Sequence, residues 1–246
     1  MPRRHLWRLS HRGARAVIAD VPVLWRLLRG MPTQGTHQER LEGFYAGQAQ
    51  HYDRFRERLL QGRAEVVTEL AQRLPEAGGT LVELGCGTGR NLAFLGAGRE
   101  KLWRTWGVDL CPSLLAQAQA RGWNGVEWVA ADATRWRPPQ PVDGVLCSYS
   151  LTMIPDWFTV VDNAIAMLRP GGTLAVVDFH VPRDARFART FWPWWFGHDG
   201  VHPNADLLPY LRSRLPNSLI FEGRAKVPYL PGVRVPWFRL VGTKEG

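Results

Sequence analysis

The residues whose types and spacing could do chemistry are Glu83-Leu84-Gly85-Cys86-Gly87-Thr88-Gly89, followed by Asp109 and Asp132. A glycine-rich turn lets backbone approach a ligand closely. Set between a strand and a helix, it puts that ligand at the carboxyl end of the strand, where open α/β sheets bind small molecules. Asp109 closes the next strand-like run, 24 positions after Gly85. An acid there can accept both hydroxyls of a ribose, which suits NAD and adenosylmethionine alike. Two features favour adenosylmethionine. In Gly85–Gly89 the third glycine falls one residue too early for the dinucleotide pattern G-x-G-x-x-G. The Glu83 carboxylate would repel a pyrophosphate but suits a ligand carrying an ammonium and a sulfonium. The chain also lacks the second nucleotide-binding half that a dinucleotide fold needs.

These residues need a scaffold, and the hydrophobic rhythm supplies one. A helical entry is predicted over 38–74, then a strand over 80–84, the glycine turn, and a helix from about Gly89. Strands over 104–110, 125–130, 143–148 and 173–179 alternate with helices over 113–121 and 157–168. Strands alternating with helices of this length mean βαβ units and a parallel sheet. Beyond Val181 the rhythm breaks. There the chain carries the aromatic run Phe191-Trp192-Pro193-Trp194-Trp195-Phe196 and a short helix over 205–215. Two strand-like runs, 219–228 and 235–242, flank Pro231-Gly232, a turn signal that predicts an antiparallel hairpin.

Charge is unevenly spread. The chain carries a net charge of +9, yet residues 1–30 hold seven arginines against Asp20 alone. Within this arm Val21, Leu24, Trp25 and Leu28 follow one face of a helix, with Gly30 as a stop. The organisation expected is a basic amphipathic arm over 1–34 and one catalytic domain over 35–246, with 181–217 inserted on the substrate side. No run approaches the roughly 18 apolar residues of a spanning helix. The three cysteines, Cys86, Cys111 and Cys147, are too few and scattered for a disulfide framework or a zinc site. A cytoplasmic protein without a metal is therefore expected.

Glu83–Gly89, Asp109, Ala131-Asp132-Ala133, Cys147-Ser148-Tyr149-Ser150 and Leu168-Arg169-Pro170-Gly171-Gly172 together resemble the successive motifs of class I adenosylmethionine-dependent methyltransferases. The resemblance implies an α/β, Rossmann-like, seven-stranded, mostly parallel sheet whose last strand is antiparallel. It implies that Gly85, Gly87 and Gly89 contact the methionine and ribose, with Asp109 and Leu110 at the ribose. Asp132 and Ala133 would meet the adenine, and Cys147 or Ser148 the methionyl ammonium. Glu83 belongs to the same cofactor set.

For the substrate, base methyltransferases resemble one another in a proline-containing aromatic run after the fourth strand. Ser148-Tyr149-Ser150-Leu151 has no proline, and Cys147 follows Leu146 rather than a proline. Nucleic acid is therefore not the expected partner, and the arm reads as a contact with an anionic membrane surface. A narrower resemblance points the same way. Arg40-Leu41-Glu42-Gly43-Phe44-Tyr45, Tyr52-Asp53, Asp178-Phe179-His180, Asp199-Gly200-Val201-His202 and Val227–Gly232 look like betaine-lipid synthases. That resemblance implies trimethylation of the diacylglycerylhomoserine head group at the membrane periphery. The alternative is a C- or O-methyltransferase of a polyprenyl quinone or another small molecule.

An amine must be neutral to attack. At an α-amino pKa of about 8, roughly 10% is free at pH 7, a deficit of about 1.4 kcal/mol. Tyr45, Tyr52 and Tyr149 are candidates to line the methyl channel, with His180 or His202 to take the proton. Arg56 or Arg63 could hold a carboxylate of cofactor or head group. The sequence thus nominates Tyr52, Tyr149 and His180 as catalytic, and Tyr45, Arg56, Arg63 and His202 as substrate-binding.

Overall fold

The computed structural model describes residues 29–46, 57–183, 186–228, 230 and 232–246. The basic arm up to residue 28, together with Tyr52 and Arg56, lies outside the described residues.

The order of elements is α1 (His37–Tyr45), α2 (Arg63–Ala71), β1 (Gly79–Leu84), a 3-10 segment (Arg90–Lys101), β2 (Leu102–Asp109), α3 (Pro112–Ala120), β3 (Val126–Ala130) and β4 (Val142–Ser148). Then come α4 (Trp157–Met167), β5 (Leu168–Phe179), α5 (Arg186–Gly197), α6 (Leu207–Arg214), β6 (Leu219–Lys226) and β7 (Arg234–Thr243). The strands form one seven-stranded sheet in the order β3-β2-β1-β4-β5-β7-β6. β1 to β5 pair in parallel, and β7 runs antiparallel to both β5 and β6. The expected antiparallel hairpin is therefore β6–β7. The chain order reverses between β1 and β4, and ligands bind outside the strand ends at such a switch point.

The sheet is covered on both faces, so its central strands read as continuous apolar runs rather than alternating ones. Leu81, Leu146, Ala175 and Val177 face one core with Val66 and Leu70 of α2, Leu114 of α3 and Trp192 and Phe196 of α5. Val82, Cys147, Leu174 and Val176 face the other, with Val160 and Ala164 of α4 and Leu207 and Leu211 of α6. The sheet is thus the middle of three layers.

Two helical expectations are revised. The entry segment is not one continuous helix: α1 starts on a Thr36–Glu39 capping box, and α2 starts anew at Gly62, in the left-handed region at φ 80°. A β-carbon at Gly62 would lie 2.2 Å from the Trp237 ring, so close packing as well as φ requires glycine there. The stretch after Gly89 forms 3-10 turns, interrupted by a non-helical Gly96, rather than an α-helix. Gly96 and Gly98 within a dozen residues weaken α-helical propensity. No helix among the described residues is long and apolar enough to cross a membrane.

Candidate active site

The loops at the carboxyl ends of β1, β2 and β4 surround a cavity of about 670 Å³. The volume suits a nucleoside-sized ligand with a small partner beside it. Gly85, Cys86, Gly87 and Thr88 form its floor, Asp109 and Leu110 one wall, Ala131–Arg135 another, and Ser148, Tyr149 and Ser150 a third. Thr36, His37, Leu41 and Tyr45 close it from the entry helix.

The floor is built by backbone hydrogen bonds. The N–H groups of Gly85 and Cys86 donate to the Val108 carbonyl at 2.8 and 3.1 Å, tying the turn to β2. Asp109 accepts from the Gly87 N–H at 2.7 Å and, through its other oxygen, from the Cys111 N–H at 2.9 Å. Its carboxylate is therefore fixed in direction before any ligand arrives, with lone pairs left for a diol. The glycines do different work. A β-carbon at Gly85 would meet the Ser150 β-carbon at 2.3 Å, so absence of a side chain lets the loops close. At Gly87 the nearest atom would be 3.9 Å away, which leaves open cradle above the backbone.

At the end of β4, Tyr149 adopts φ 53°, a left-handed conformation unusual for a bulky residue. Its N–H donates to the Val177 carbonyl at 2.7 Å and its hydroxyl to the Gln61 carbonyl at 2.7 Å. Ser148 is buried beside the cavity, and its hydroxyl has no hydrogen-bond partner among the described residues. A buried hydroxyl left unpaired costs about 1–3 kcal/mol, which a cationic group hydrogen-bonding to it would offset. These features, the cradle over Gly87, the oriented Asp109 and the orphaned Ser148, fit adenosylmethionine.

Ten nominated residues line the cavity together: Tyr45, Arg63, Gly85, Gly87, Asp109, Leu110, Asp132, Ala133, Ser148 and Tyr149. Others are corrected. Glu83 is fully buried behind the floor, not in it, and its carboxylate accepts from the Asn91 side chain at 2.7 Å. Burial pushes its pKa up to about 8, against the Asn91 hydrogen bond and the charge of Arg63, with Asp109 raising it further. Gly89 does not line the cavity; a β-carbon there would strike the Trp128 ring at 2.4 Å, so its role is packing. His180 is turned away from the site. The preceding Phe179 faces the first core, so His180 points oppositely, with Nε2 3.1 Å from Glu222 and its N–H on the Pro236 carbonyl. His202 is exposed and outside the lining, its N–H donating to the Thr152 carbonyl at 2.7 Å. Between the two candidates for the ammonium, Ser148 faces the cavity and Cys147 packs in the opposite core. Tyr149 lines the cavity but its hydroxyl is committed to Gln61, and burial raises its pKa well above the ordinary value. It is no proton acceptor.

Residues the sequence reasoning missed complete the picture. Asn91 bridges Glu83 to Arg63, whose guanidinium reaches the Asn91 carbonyl oxygen at 3.4 Å. His37 faces the cavity, its pKa lowered by burial and by Arg40. Asp178, fully buried, accepts from the Thr152 hydroxyl at 2.6 Å and so holds the turn that carries Met153 into the wall. Of these, only Asp178 carried a sequence signal, as the first residue of the Asp178-Phe179-His180 run.

A family model described as a methyltransferase domain matches residues 52–214. The chain belongs to that family. Residues 52–214 are a class I, adenosylmethionine-dependent methyltransferase domain, and the cavity at the sheet's carboxyl end is where that fold binds its cofactor. Trans-aconitate 2-methyltransferase of Azoarcus sp. (strain BH72) is 32% identical over 136 residues, covering 54% of this chain and 53% of its own. The Klebsiella pneumoniae (strain 342) protein of the same name is 41% identical over 96 residues, covering 39% and 37%. The methyltransferase thus spans about half or less of the length of these curated relatives, and they are not betaine-lipid enzymes. A phospholethanolamine N-methyltransferase of Haemonchus contortus superposes with a TM-score of 0.69 at 13% identity, covering 87% of this chain and 61% of that one. At that identity the likeness shows the fold alone.

Proposed function

We propose that this methyltransferase places the methyl group on a carboxylate oxygen of a small organic acid. Bound adenosylmethionine supplies an electrophilic methyl on a sulfonium. In the transfer the S–CH₃ bond breaks as a C–O bond forms, and no proton has to leave a carboxylate that is already ionised. The observation that carries the reading is the cavity lining, in which three arginines accompany carboxylates already held by hydrogen bonds: Asp109 by the Gly87 and Cys111 N–H groups, Asp132 by the Thr134 hydroxyl and Asp156 by the Thr159 hydroxyl. Arg63, Arg90 and Arg135 line it, with Arg90 paired to Glu57 at 2.6 Å; Tyr149 is committed to Gln61, and His37, its pKa lowered, is a weaker base than an ordinary imidazole. Planar guanidinium groups suit bidentate recognition of carboxylates. The substrate named for the curated relatives, trans-aconitate, is an acid and supports the same chemistry. Positioning then does most of the work, as expected for an in-line displacement.

Trimethylation of diacylglycerylhomoserine is the second reading. It is favoured by the exposed aromatic face of α5, where Trp194 is 73% exposed, a surface suited to a lipid environment. One experiment separates the two. The purified protein is incubated with methyl-labelled adenosylmethionine and either small organic acids or diacylglycerylhomoserine, and products are treated with mild base. A methyl ester releases labelled methanol; an N-methyl group does not. Base-stable label confined to the lipid would overturn the carboxylate reading.

A further inference from the structure

Helix α1 forms part of the cavity wall without belonging to the sheet whose loops supply the rest. His37, Gln38, Leu41 and Tyr45 of this helix line the cavity, and His37 lies within electrostatic reach of Asp132 in another wall. A segment in that position covers the cofactor, and whatever holds it down governs how long the cofactor stays.

Glu42 stands one residue past Leu41 and turns to α3 instead of to the cavity. One of its carboxylate oxygens accepts from the Ser113 N–H at 3.1 Å and from the Cys111 thiol at 3.1 Å. The reason lies in how α3 begins. Its N-cap residue, Cys111, makes no side-chain cap, and Pro112 has no N–H to offer. The Ser113 N–H, left without an acceptor inside its own helix, takes one from α1. A carboxylate there also gains from the helix dipole. Burial pushes the Cys111 thiol up to about 12, so it stays a donor and brings no second anion to the pair.

The same turn holds the carboxylate that faces the ribose. The Cys111 N–H donates to Asp109 at 2.9 Å, and the other Asp109 oxygen accepts from the Gly87 N–H at 2.7 Å. Hydrogen bonds therefore run from Glu42 through Cys111 to Asp109 and the glycine cradle. Leu41 and Leu114, each next in sequence to a member of this chain, share one core cluster and both line the cavity. The tie lies directly behind the wall that meets the cofactor.

We infer that Glu42 is a positioning residue for the methyl donor: it latches α1 to the start of α3 and so holds the cavity closed over bound adenosylmethionine. Glu42 touches no reacting atom. The inference goes beyond the proposed reaction, because it concerns cofactor retention and holds whichever atom receives the methyl.

The test uses the full chain and adenosylmethionine itself. Glu42→Ala removes the acceptor and leaves the Cys111 N–H on Asp109. A closed form populated about a tenth as often weakens apparent affinity about tenfold. Titration calorimetry should read that loss, and a chase of labelled adenosylmethionine should read it as release about tenfold faster. Glu42→Gln keeps an oxygen acceptor without the charge and is expected to lie between, at about threefold. Amide hydrogen exchange separates a latch from general stability. Adenosylmethionine should slow exchange over residues 37–45 in the wild type but not in Glu42→Ala, while β1 and β4 exchange alike in both proteins. Release from Glu42→Ala at the wild-type rate would overturn the inference, as would faster exchange of β1 and β4 in that variant. Should the alanine variant fail to fold, release from Glu42→Gln at the wild-type rate would overturn it instead.

Discussion

The carboxyl-end loops of the sheet and the aromatic region after β5 are built by opposite means. In the first, short polar and glycine residues fix backbone direction: Asp109 ties down two N–H groups and Gly85 lets Ser150 close against it. In the second, large rings fill space, with Trp192 stacked at 5.5 Å on Phe196 and Phe179 beyond it. Backbone-built geometry recognises a ligand and contributes little to the core. Ring-built packing supports the wall from behind, and neither Trp192 nor Phe196 lines the cavity. Mutations in the two regions should therefore separate stability from binding.

The largest effect is expected in the aromatic region. Trp192→Ala should lower the unfolding free energy by about 3–5 kcal/mol, because it leaves a large cavity against Phe196 and Phe179. Trp194→Ala should change it by less than about 0.5 kcal/mol, as expected for an exposed side chain. Denaturant titration of both variants measures the difference. Equal losses would mean that α5 is not seated with Trp192 inward.

At the loops the order reverses. Asp109→Ala removes the acceptor of two backbone N–H groups and the charge facing a ribose, at about 1.5–3 kcal/mol per hydrogen bond to a charged group. Adenosylmethionine affinity by titration calorimetry should fall by at least about tenfold, equivalent to about 1.4 kcal/mol. Unchanged affinity would remove Asp109 from the cofactor site. The glycines then sharpen the contrast within one loop. Gly89→Ala drives a methyl into Trp128 and should cost about 1–3 kcal/mol of stability by overpacking, beyond the left-handed backbone penalty. Gly87→Ala meets no atom closer than 3.9 Å, so it should cost only about 1–2 kcal/mol of backbone strain yet block the cradle. Thermal unfolding alongside calorimetry distinguishes the two, and a Gly89→Ala protein that is stable but unable to bind would reverse the assignment.

The same contrast governs how much could be read in advance. The sheet was legible because parallel strands buried on both faces appear as apolar runs bounded by glycine and proline, and the β6–β7 hairpin carried its Pro231-Gly232 turn. Asp109, Gly87 and Ser148 were legible because strand ends and glycine spacing fix where backbone meets ligand. Glu83 was misplaced because spacing gives its strand position but not its cover; Asn91 and Arg63, distant in sequence, enclose it. His180 was misplaced because it follows the last residue of β5, and the sequence does not say that its ring turns to Glu222 and Phe238 rather than to the cavity. His37 escaped notice because α1 reaches the cavity only through tertiary packing. The two faces of α5 were indistinguishable in a run where nearly every residue is aromatic.

The smallest effect concerns the buried carboxyl that belongs to neither region. Glu83 has an ordinary carboxyl pKa of 4.5 when unfolded and about 8 in the folded protein, raised chiefly by burial. The folded state therefore holds a proton that the unfolded state releases as pH rises above 4.5, so stability falls with increasing pH up to about 8. Asp178, raised to about 6 by burial, contributes the same sign but only below that pH. His37 contributes the opposite sign, because its folded pKa lies below the ordinary 6.5, and that effect fades over about the pH unit above 6.5. Between pH 6.5 and 8 the net decline comes from Glu83, partly offset at the lower end by His37. Glu83→Gln keeps the shape and an Asn91 partner without a titrating proton, so denaturant midpoints should no longer fall across that window. The variant should also be more stable than wild type at pH 8, since it no longer carries a buried charge. A wild-type protein with no decline from pH 6.5 to 8 would show that the Glu83 carboxylate is ionised in the folded state, compensated by Arg63 through Asn91, and a Glu83→Gln protein that retains the decline would assign it to another group.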